Sequence, residues 1–181
     1  MEKMMKVTLA MIMSADGKTT IGDAPGANYW ASPEDQEHFR SLIAGHDCIV
    51  MGSSTFEAAR SIIRPSAAKL RIILTRNPER WAKDARLPGL EFSAESPEEI
   101  IEGAVKKGYK KLLLVGGAET NERFLDAGLV DEIFLTIEPR LFGTGLPLTA
   151  PLEQSVDLLL ISSRQLNTQG TLLNHYEVVK D

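Results

Sequence analysis

The segment LLLVGGAETNERFLDAGLVDEIFLTIEPRLFGTGL, residues 112–146, decides the fold class of this chain. It begins with the apolar run Leu112–Val115, which is typical of a strand covered on both faces. Gly116 and Gly117 then let the backbone turn sharply and come close to a ligand. Ala118–Ala127 has a helical pattern. The segment therefore predicts a strand, a glycine turn and a helix, which is the repeating unit of an α/β fold.

The glycine turn at Gly116-Gly117 has two interpretations that the sequence leaves open. A glycine turn at a helix N-terminus exposes backbone N–H groups and the positive end of the helix dipole, which together favour a phosphate or pyrophosphate. A pair of glycines is also a common way to make a tight turn without any ligand.

Strands and helices alternate through the rest of the chain, and one antiparallel hairpin ends it. Further strands are predicted at Lys6–Ser14, Cys48–Met51, Leu70–Leu74 and Glu132–Ile137, and capped helices begin at Ser32 and Ser96. Two more strands, Val156–Leu166 and Thr171–Val179, are joined by the turn at 167–170. We expect one domain over residues 1–181, with a mixed, mostly parallel sheet and a C-terminal antiparallel hairpin.

Composition narrows the classes of function. The formal net charge is −5 and the isoelectric point is about 5.3, which argues against a nucleic-acid surface. Cys48 is the one cysteine and lies in an apolar run, so we expect a buried, unreactive thiol. The N-terminal apolar stretch is too short to span a bilayer, so we expect no membrane association and a cytoplasmic location. The three histidines lack the spacing of metal ligands, so no metal site is expected.

Small, hydroxyl or basic residues follow three of the predicted strands, where ligands bind in open α/β sheets. Two of these strand ends have residues suited to bind phosphate groups, and the third has an arginine. Because this combination suits a dinucleotide, we expect a dinucleotide cofactor at these strand ends. Arg76 can pair with a 2′-phosphate through its bidentate guanidinium, or it can be a solvated surface arginine. The candidate cofactor-binding residues are Gly52, Ser53, Ser54, Thr55, Thr75, Arg76, Gly116, Gly117, Ala118, Glu119 and Thr120.

Two acidic residues flank the long polar loop Thr19–Tyr29. Asp16 follows the first strand and Asp35 lies in the first turn of a helix, with Trp30 between them. Both acids have structural explanations, since Asp16 can cap a loop and Asp35 can complement the helix dipole. Together they can also form a pocket with an aromatic wall and a carboxylate for a nitrogen heterocycle, and the loop can close over it as a lid.

The order of the motifs SADGKTTIG, WASPEDQEHFRSL, DCIVMGSSTF, RIILTRNP and GLVDEIFLTIEPRLFGTG resembles the dihydrofolate reductase superfamily. Over about Lys6–Val179 it most resembles the C-terminal reductase domain of the riboflavin-biosynthesis deaminase–reductase. The resemblance implies a three-layer fold with a mixed eight-stranded sheet, NADPH as the cofactor and a homodimer. The cofactor-binding residues that it implies are those already named at the strand ends.

The resemblance leaves two substrate classes open. The chain keeps Ser14, Asp16 and Lys18 of the riboflavin-pathway pattern S-L-D-G-K, but it has Gln36, Ile43 and Val115 where those enzymes usually have two arginines and a glutamate. The motif W-A-S-P-E-D-Q-E-H-F resembles the dihydrofolate reductase pattern W-x-x-P-x-D-x-x-x-F, in which the acid binds the pterin ring and helps to protonate it. That match implies Asp35.

These observations predict an NADPH-dependent reductase of a pterin-like or aminopyrimidine substrate, with Asp35 or Asp16 hydrogen-bonded to the ring. We expect Ser14, Lys18, Trp30 and Arg40 to contact this small-molecule substrate, with Lys18 or Arg40 holding a phosphate if the substrate has one. The alternatives are a true 5-amino-6-(5-phosphoribosylamino)uracil reductase, a dihydrofolate reductase-type activity, and a nucleotide-binding module without turnover. The apolar run at 157–161 is expected to be a central strand or a surface buried against a second copy.

Overall fold

The computed structural model describes residues 5–24 and 26–180, and their strands form one sheet of eight. The strands are β1 (Lys6–Ser14), β2 (Cys48–Gly52), β3 (Leu70–Leu74), β4 (Leu90–Ser93), β5 (Lys111–Leu114), β6 (Glu132–Glu138), β7 (Leu158–Gln165) and β8 (Leu172–Val178). The α-helices are α1 (Pro33–Gly45), α2 (Ser53–Ala59), α3 (Pro97–Lys106) and α4 (Ala118–Asp126). Short 3₁₀ turns at Pro78–Trp81 and Asp84–Arg86 connect β3 to β4.

The sheet has the order β4-β3-β2-β5-β1-β6-β8-β7. The six strands from β4 to β6 are parallel, and β8 runs antiparallel to both β6 and β7. The predicted mixed sheet with a C-terminal antiparallel hairpin is therefore confirmed. Because the six parallel strands share one direction, their carboxyl ends lie at the same edge of the sheet, where α/β proteins bind ligands.

The predicted helix starts are confirmed by their caps. The Ser32 hydroxyl accepts a hydrogen bond from the backbone N–H of Asp35, and Pro33 is the first residue of α1. At α3, Ser96 and Glu99 form a reciprocal capping box. These caps satisfy N–H groups that no helical carbonyl can reach, so each helix begins at a defined residue.

The inner parallel strands β2 and β5 are buried on both faces, as their continuous apolar sequences predict. In β5, Leu112 and Leu114 belong to one core with residues of α3 and α4, whereas Leu113 belongs to a second core with Phe56 of α2. The apolar side of α1, Phe39, Leu42 and Ile43, packs against this second core. Helices thus cover both faces, and the three-layer arrangement is confirmed.

One feature differs from what the sequence predicted, a second excludes one of two alternatives, and a third confirms a prediction. The short strand β4 and the 3₁₀ turns were not predicted, because one four-residue strand after Pro88-Gly89 has little periodicity. The run at 157–161 is not a central strand, since Leu158–Ile161 lie on the edge strand β7 and are 42–56% exposed. Cys48 is buried, and burial raises the pKa of its thiol to about 12, so it is unreactive as predicted.

The described residues of the loop Thr19–Tyr29 form no helix or named strand, as expected; residue 25 lies outside the described residues. Its first part is tied to the glycine loop after β6, because Thr19 N–H donates to the Leu146 carbonyl and Gly22 N–H donates to the Thr144 carbonyl. Within the described ranges, the chain contains no helix with the length and apolar character needed to cross a bilayer.

Candidate functional site

A cleft of about 1570 Å³ lies at the carboxyl edge of the parallel strands and continues along α1. One end is lined by the residues that follow β2, β3 and β5, and the other by α1 from Asp35 to Ile43. The polar end and the helix end of the cleft are therefore continuous, and a ligand in one end can contact a ligand in the other.

The ends of β2 and β5 meet at two glycines. Gly52 N–H donates to the Gly116 carbonyl at 2.8 Å. A Cβ atom on Gly52 would lie 2.8 Å from the Oγ1 of Thr120, and one on Gly116 would lie 3.0 Å from the Sδ of Met11. Gly116 also has a φ of 89°, which other residues adopt at a cost. The glycines are thus required for the close approach that forms the floor of the cleft.

The polar end of the cleft suits a ligand with phosphate groups. Gly117 is the N-cap of α4 and makes no side-chain cap, so the first N–H groups of this nine-residue helix remain for a ligand. The hydroxyl side chains of Ser53, Ser54 and Thr55 line the same end. Of the eleven predicted cofactor-binding residues, ten line the cleft, and the other, Gly116, supports its floor through its carbonyl.

Arg76 lies at this end of the cleft with a side chain that is 94% exposed. Its guanidinium makes only a long contact of 3.6 Å with the Glu119 carboxylate, which is itself exposed. An exposed pair of this kind contributes little to stability. The guanidinium is therefore available to an anionic ligand, and both interpretations of Arg76 from the sequence are compatible with its position.

Asp35 is the buried acid of the cleft. It lies in the first turn of α1, lines the cleft and is 7% exposed. Burial raises the pKa of its carboxyl group to about 6, a hydrogen bond with Thr136 opposes this shift, and the negative charge of Glu138 adds to it. An acid with this pKa can hold or release a proton near neutral pH.

Aromatic rings from α1 and β6 line the cleft. Phe39 and Phe134 line it, and the imidazole of His38 lies 5.3 Å from the Phe134 ring. The Nε2 atom of His38 is buried and has no hydrogen-bond partner, and burial lowers the pKa of this histidine. The helix end of the cleft therefore offers a largely apolar, aromatic wall next to Asp35.

Arg71 supplies a partly buried positive charge to the cleft. It lies on β3 opposite Ile49 of β2, and its Nη1 atom is buried without a hydrogen-bond partner. Burial lowers the pKa of this guanidinium. A desolvated donor without a partner costs free energy, so the site favours a ligand with an acceptor or negative charge at this position.

Asp16 does not accompany Asp35 in the cleft, which corrects the expected pairing of the two acids. Its carboxylate accepts hydrogen bonds from the Ser14 hydroxyl at 2.6 Å and from the backbone N–H groups of Phe142 and Gly143 at 3.0 and 2.7 Å. These donors, the Ser14 hydroxyl first, lower the pKa of Asp16 to about 2. Asp16 therefore has the loop-capping role that the sequence left open as an alternative.

Of the four residues expected to contact the substrate, one lines the cleft and three do not. Arg40 lines the cleft, whereas Ser14, Lys18 and Trp30 are not among the lining residues. Ser14 is buried beneath Asp16, and Lys18 forms a β-bridge with Pro147. Trp30 is buried with its ring edge 4.9 Å from Phe142 and its indole N–H on the Gly26 carbonyl, so it does not form the expected aromatic wall.

Sequence reasoning missed three residues that line the cleft, His38, Arg71 and Thr136, and it also missed Glu138, whose charge acts on Asp35. The signal for Arg71 was available, because a single charge inside the apolar strand Leu70–Leu74 needs a partner. Thr136 and Glu138 were visible as the last same-face polar residues of β6. Their proximity to Asp35 depends on how α1 packs on the sheet, which no local pattern shows.

Comparisons with known proteins agree on this fold. The sequence model of the family described as the RibD C-terminal domain matches residues 5–172. A dihydrofolate reductase from Mycobacterium tuberculosis is 37% identical over 83 residues, which is 45% of this chain and 48% of that enzyme. This chain therefore matches about half the length of that relative.

Two solved structures are similar over nearly the whole chain. A pyrimidine reductase-like protein from Corynebacterium diphtheriae has a TM-score of 0.78 at 17% identity and covers 97% of this chain and 92% of its own. A dihydrofolate reductase from Enterococcus faecalis, complexed with NADP(H), has a TM-score of 0.65 at 20% identity and covers 97% of both chains. At these identities the similarity shows the fold.

The burial of Asp35 predicts a pH-dependent stability. The ordinary pKa of 3.8 is raised to about 6 in the folded state, so unfolding releases a proton between these values and stability falls as the pH rises through that window. At pH 8, Asp35→Asn is expected to be more stable than the wild type by up to about 3 kcal/mol, with a smaller difference at pH 4. Urea unfolding at both pH values measures this.

The Asp157→Asn variant, at an exposed position outside the cleft, is the matched control for the loss of one carboxylate. A difference between Asp35→Asn and the wild type that stays constant from pH 4 to pH 8 would contradict the raised pKa of Asp35.

Proposed function

Because the chain belongs to the RibD C-terminal domain family, we propose that it is an NADPH-dependent reductase that transfers a hydride to a pterin-like or aminopyrimidine ring. The observation that supports this function is the position of Asp35. It is a buried acid with a pKa of about 6, and it lies in a cleft whose other end suits a phosphate-bearing ligand. Reduction of a ring C=N bond requires a hydride at carbon and a proton at nitrogen.

The cofactor side of the proposal rests on the strand ends. The N–H groups at the start of α4 and the hydroxyl groups of Ser53, Ser54 and Thr55 would hold the phosphates of NADPH. Arg76 would pair with the 2′-phosphate, which distinguishes NADPH from NADH. When bound, the nicotinamide supplies the hydride. The protein's contribution is to orient the ring against the substrate and to exclude water.

The substrate side of the proposal rests on α1. Asp35 would hydrogen-bond the N–H groups of the heterocycle, and Phe39 and Phe134 would contact the faces of its rings. Asp35 and Ile43 are separated by roughly 12 Å along the helix. Arg71 lines the cleft together with Ile43, so it would bind a negative group on the substrate at a distance from the ring. We therefore propose a substrate with a nitrogen heterocycle and an anionic tail.

Both named substrate classes satisfy this description, since folates carry carboxylates and ribosylaminopyrimidines carry a phosphate. Growth rescue of a riboflavin-requiring strain would indicate the 5-amino-6-(5-phosphoribosylamino)uracil reductase. Oxidation of NADPH by dihydrofolate would indicate the dihydrofolate reductase-type activity. A module without turnover would bind NADPH, and no substrate of either class would oxidise it.

The cofactor preference is the first test of the proposal. NADPH should quench the fluorescence of Trp30 and Trp81 or be detected by calorimetry, and it should bind more tightly than NADH. Arg76→Ala should weaken NADPH binding by about tenfold, because a charge-assisted hydrogen bond is lost, and should leave NADH binding nearly unchanged. The exposed Arg86→Ala is the control for the loss of one positive charge outside the cleft. Absence of binding to either nucleotide would contradict the reductase function.

Turnover tests the roles of Asp35 and Arg71. With a substrate that oxidises NADPH, Asp35→Asn should lower kcat by roughly 10²- to 10⁴-fold, since it removes the group that holds the proton. Arg71→Met should raise KM by about tenfold with a smaller effect on kcat, because the charge contacts a part of the substrate that does not react. Removing the anionic group from the substrate should abolish the difference between Arg71→Met and the wild type. An unchanged KM in Arg71→Met would refute the anion-binding role.

We also propose that the protein is a homodimer formed through the edge strand β7. Four consecutive apolar residues, Leu158–Ile161, are each 42–56% exposed on this strand. An edge strand presents unpaired backbone groups as well, and an exposed apolar edge favours association. A second copy of the same chain offers the same apolar surface, so a two-fold arrangement can bury both.

Light scattering at micromolar concentration tests the dimer. The wild type should have about twice the mass of one chain, and Leu159→Lys should shift it towards the monomer, because a charge would be buried in the interface. Leu141→Lys, at a loop residue that is 79% exposed, is the control and should leave the mass unchanged. A monomeric wild type would contradict this proposal.

A further inference from the structure

Glu138 is a buried carboxylate that the proposed reaction does not yet use. It ends β6 and is 4% exposed. Its two oxygen atoms accept hydrogen bonds from the backbone N–H of Ser32 at 2.8 Å and from the hydroxyl of Thr171 at 2.7 Å. Within residues 5–24 and 26–180, no lysine, arginine or histidine forms an ion pair with it. Because a buried charge without a cation is costly, this arrangement needs an explanation.

The first link from Glu138 to Asp35 runs through the cap of α1. Ser32 donates its backbone N–H to Glu138, and its hydroxyl accepts the backbone N–H of Asp35 at 3.3 Å. Glu138 therefore holds the residue that begins the helical turn on which Asp35 lies. Thr136, two residues earlier on the same face of β6, hydrogen-bonds the Asp35 side chain. The end of β6 thus contacts both the cap and the acid.

Glu138 is also linked, through Thr171, to the turn between β7 and β8. The Asn167 amide donates to the Thr171 hydroxyl at 2.9 Å and to the Glu34 carboxylate at 3.1 Å. The side-chain oxygen of Asn167 accepts hydrogen bonds from the backbone N–H groups of Gly170 and Thr171. Since the Thr171 oxygen accepts from Asn167, its one proton is directed to Glu138. Both neighbours of Glu138 are therefore donors, which is the arrangement that binds an ionised carboxylate.

A fixed negative charge beside a second buried carboxyl group disfavours ionisation of the second group, because the two charges repel each other where water cannot screen them. We propose that Glu138 is a positioning residue that orients the first turn of α1 through the Ser32 N–H and whose negative charge, beside a buried carboxyl group, disfavours ionisation of Asp35. The use of that proton by a heterocyclic substrate rests on the proposed reductase function. The raised pKa of Asp35 is a property of the folded chain without substrate.

The other charged groups around this turn have different partners, so they do not replace Glu138. Glu34 on α1 is bound by Asn167, and Arg140 after β6 points one nitrogen at the Trp30 carbonyl, 3.5 Å away. Arg164 on β7 acts on His38, whose pKa it helps to lower. Among the described residues, Glu138 is the charged group that acts on Asp35, alongside the desolvation of the carboxyl group and the Thr136 hydrogen bond.

The experiment is a carbon-13 NMR titration of the Asp35 carboxyl group, with Asp35→Asn used to assign its signal. In the wild type the pKa should lie well above the ordinary aspartate value. In Glu138→Gln, which keeps one acceptor oxygen and removes the charge, the pKa of Asp35 should fall towards the ordinary aspartate value. Glu37→Gln, the same change on the exposed side of α1, is the control and should leave the pKa unchanged.

An ordinary aspartate pKa in the wild type would overturn the proposal without any variant, so it stays testable if Glu138→Gln folds poorly. An unchanged pKa in a folded Glu138→Gln would also overturn it. With a substrate, the loss of rate at high pH should move to lower pH in Glu138→Gln. If Glu138→Gln lowers the pKa of Asp35 but the protein never oxidises NADPH, the role of Glu138 is supported and the reductase function is refuted. If the protein oxidises NADPH but Glu138→Gln leaves the pKa of Asp35 unchanged, the reductase function is supported and the role of Glu138 is refuted.

Discussion

The hydrogen bond from the Gly52 N–H to the Gly116 carbonyl is the contact on which the cleft depends. It joins the carboxyl ends of β2 and β5 at 2.8 Å, and a side chain on either glycine would collide with Thr120 or Met11. Because the two strand ends are this close, α2 and α4 both begin at the same edge of the sheet. The polar end of the cleft is thus a consequence of backbone geometry, and its side chains are mainly small.

The helix end of the cleft is built on a different principle, the burial of charge. Asp35, Glu138 and Arg71 are each partly or wholly withdrawn from water, and none forms an ion pair with another described residue. Buried groups of this kind lower the stability of a fold and are found where a ligand or a reaction uses them. Asp35 and Arg71 line the cleft and Glu138 lies behind Asp35, so the three groups together are a stronger functional argument than any one of them gives.

Local sequence patterns were sufficient to predict the layers of the fold and the residues at the polar end of the cleft, but not the residues at its helix end. Continuous apolar runs such as Leu112–Val115 and caps such as Ser32-Pro33 depend on neighbouring residues, so local patterns predict them. The residues that line the polar end of the cleft followed because parallel strands necessarily end at the same edge. The partners of Asp16 and Asp35 are more than 100 residues distant in the chain, at Phe142 and Glu138. Contacts of that range decide which acid caps a loop and which lines the cleft.

The departures from the riboflavin-pathway pattern acquire a physical meaning in the cleft. Gln36, Ile43 and Val115 all line it, at positions where those enzymes usually have charged residues. Their replacement makes the wall more apolar and leaves Arg71 as a partly buried cation there, with one buried nitrogen that has no partner. A hydrophobic wall discriminates weakly between ligands, whereas an unpaired buried donor strongly rejects a ligand that lacks its acceptor. For the proposed substrate with a heterocycle and an anionic tail, selectivity should therefore depend more on whether the tail pairs with Arg71 than on the shape of the ring.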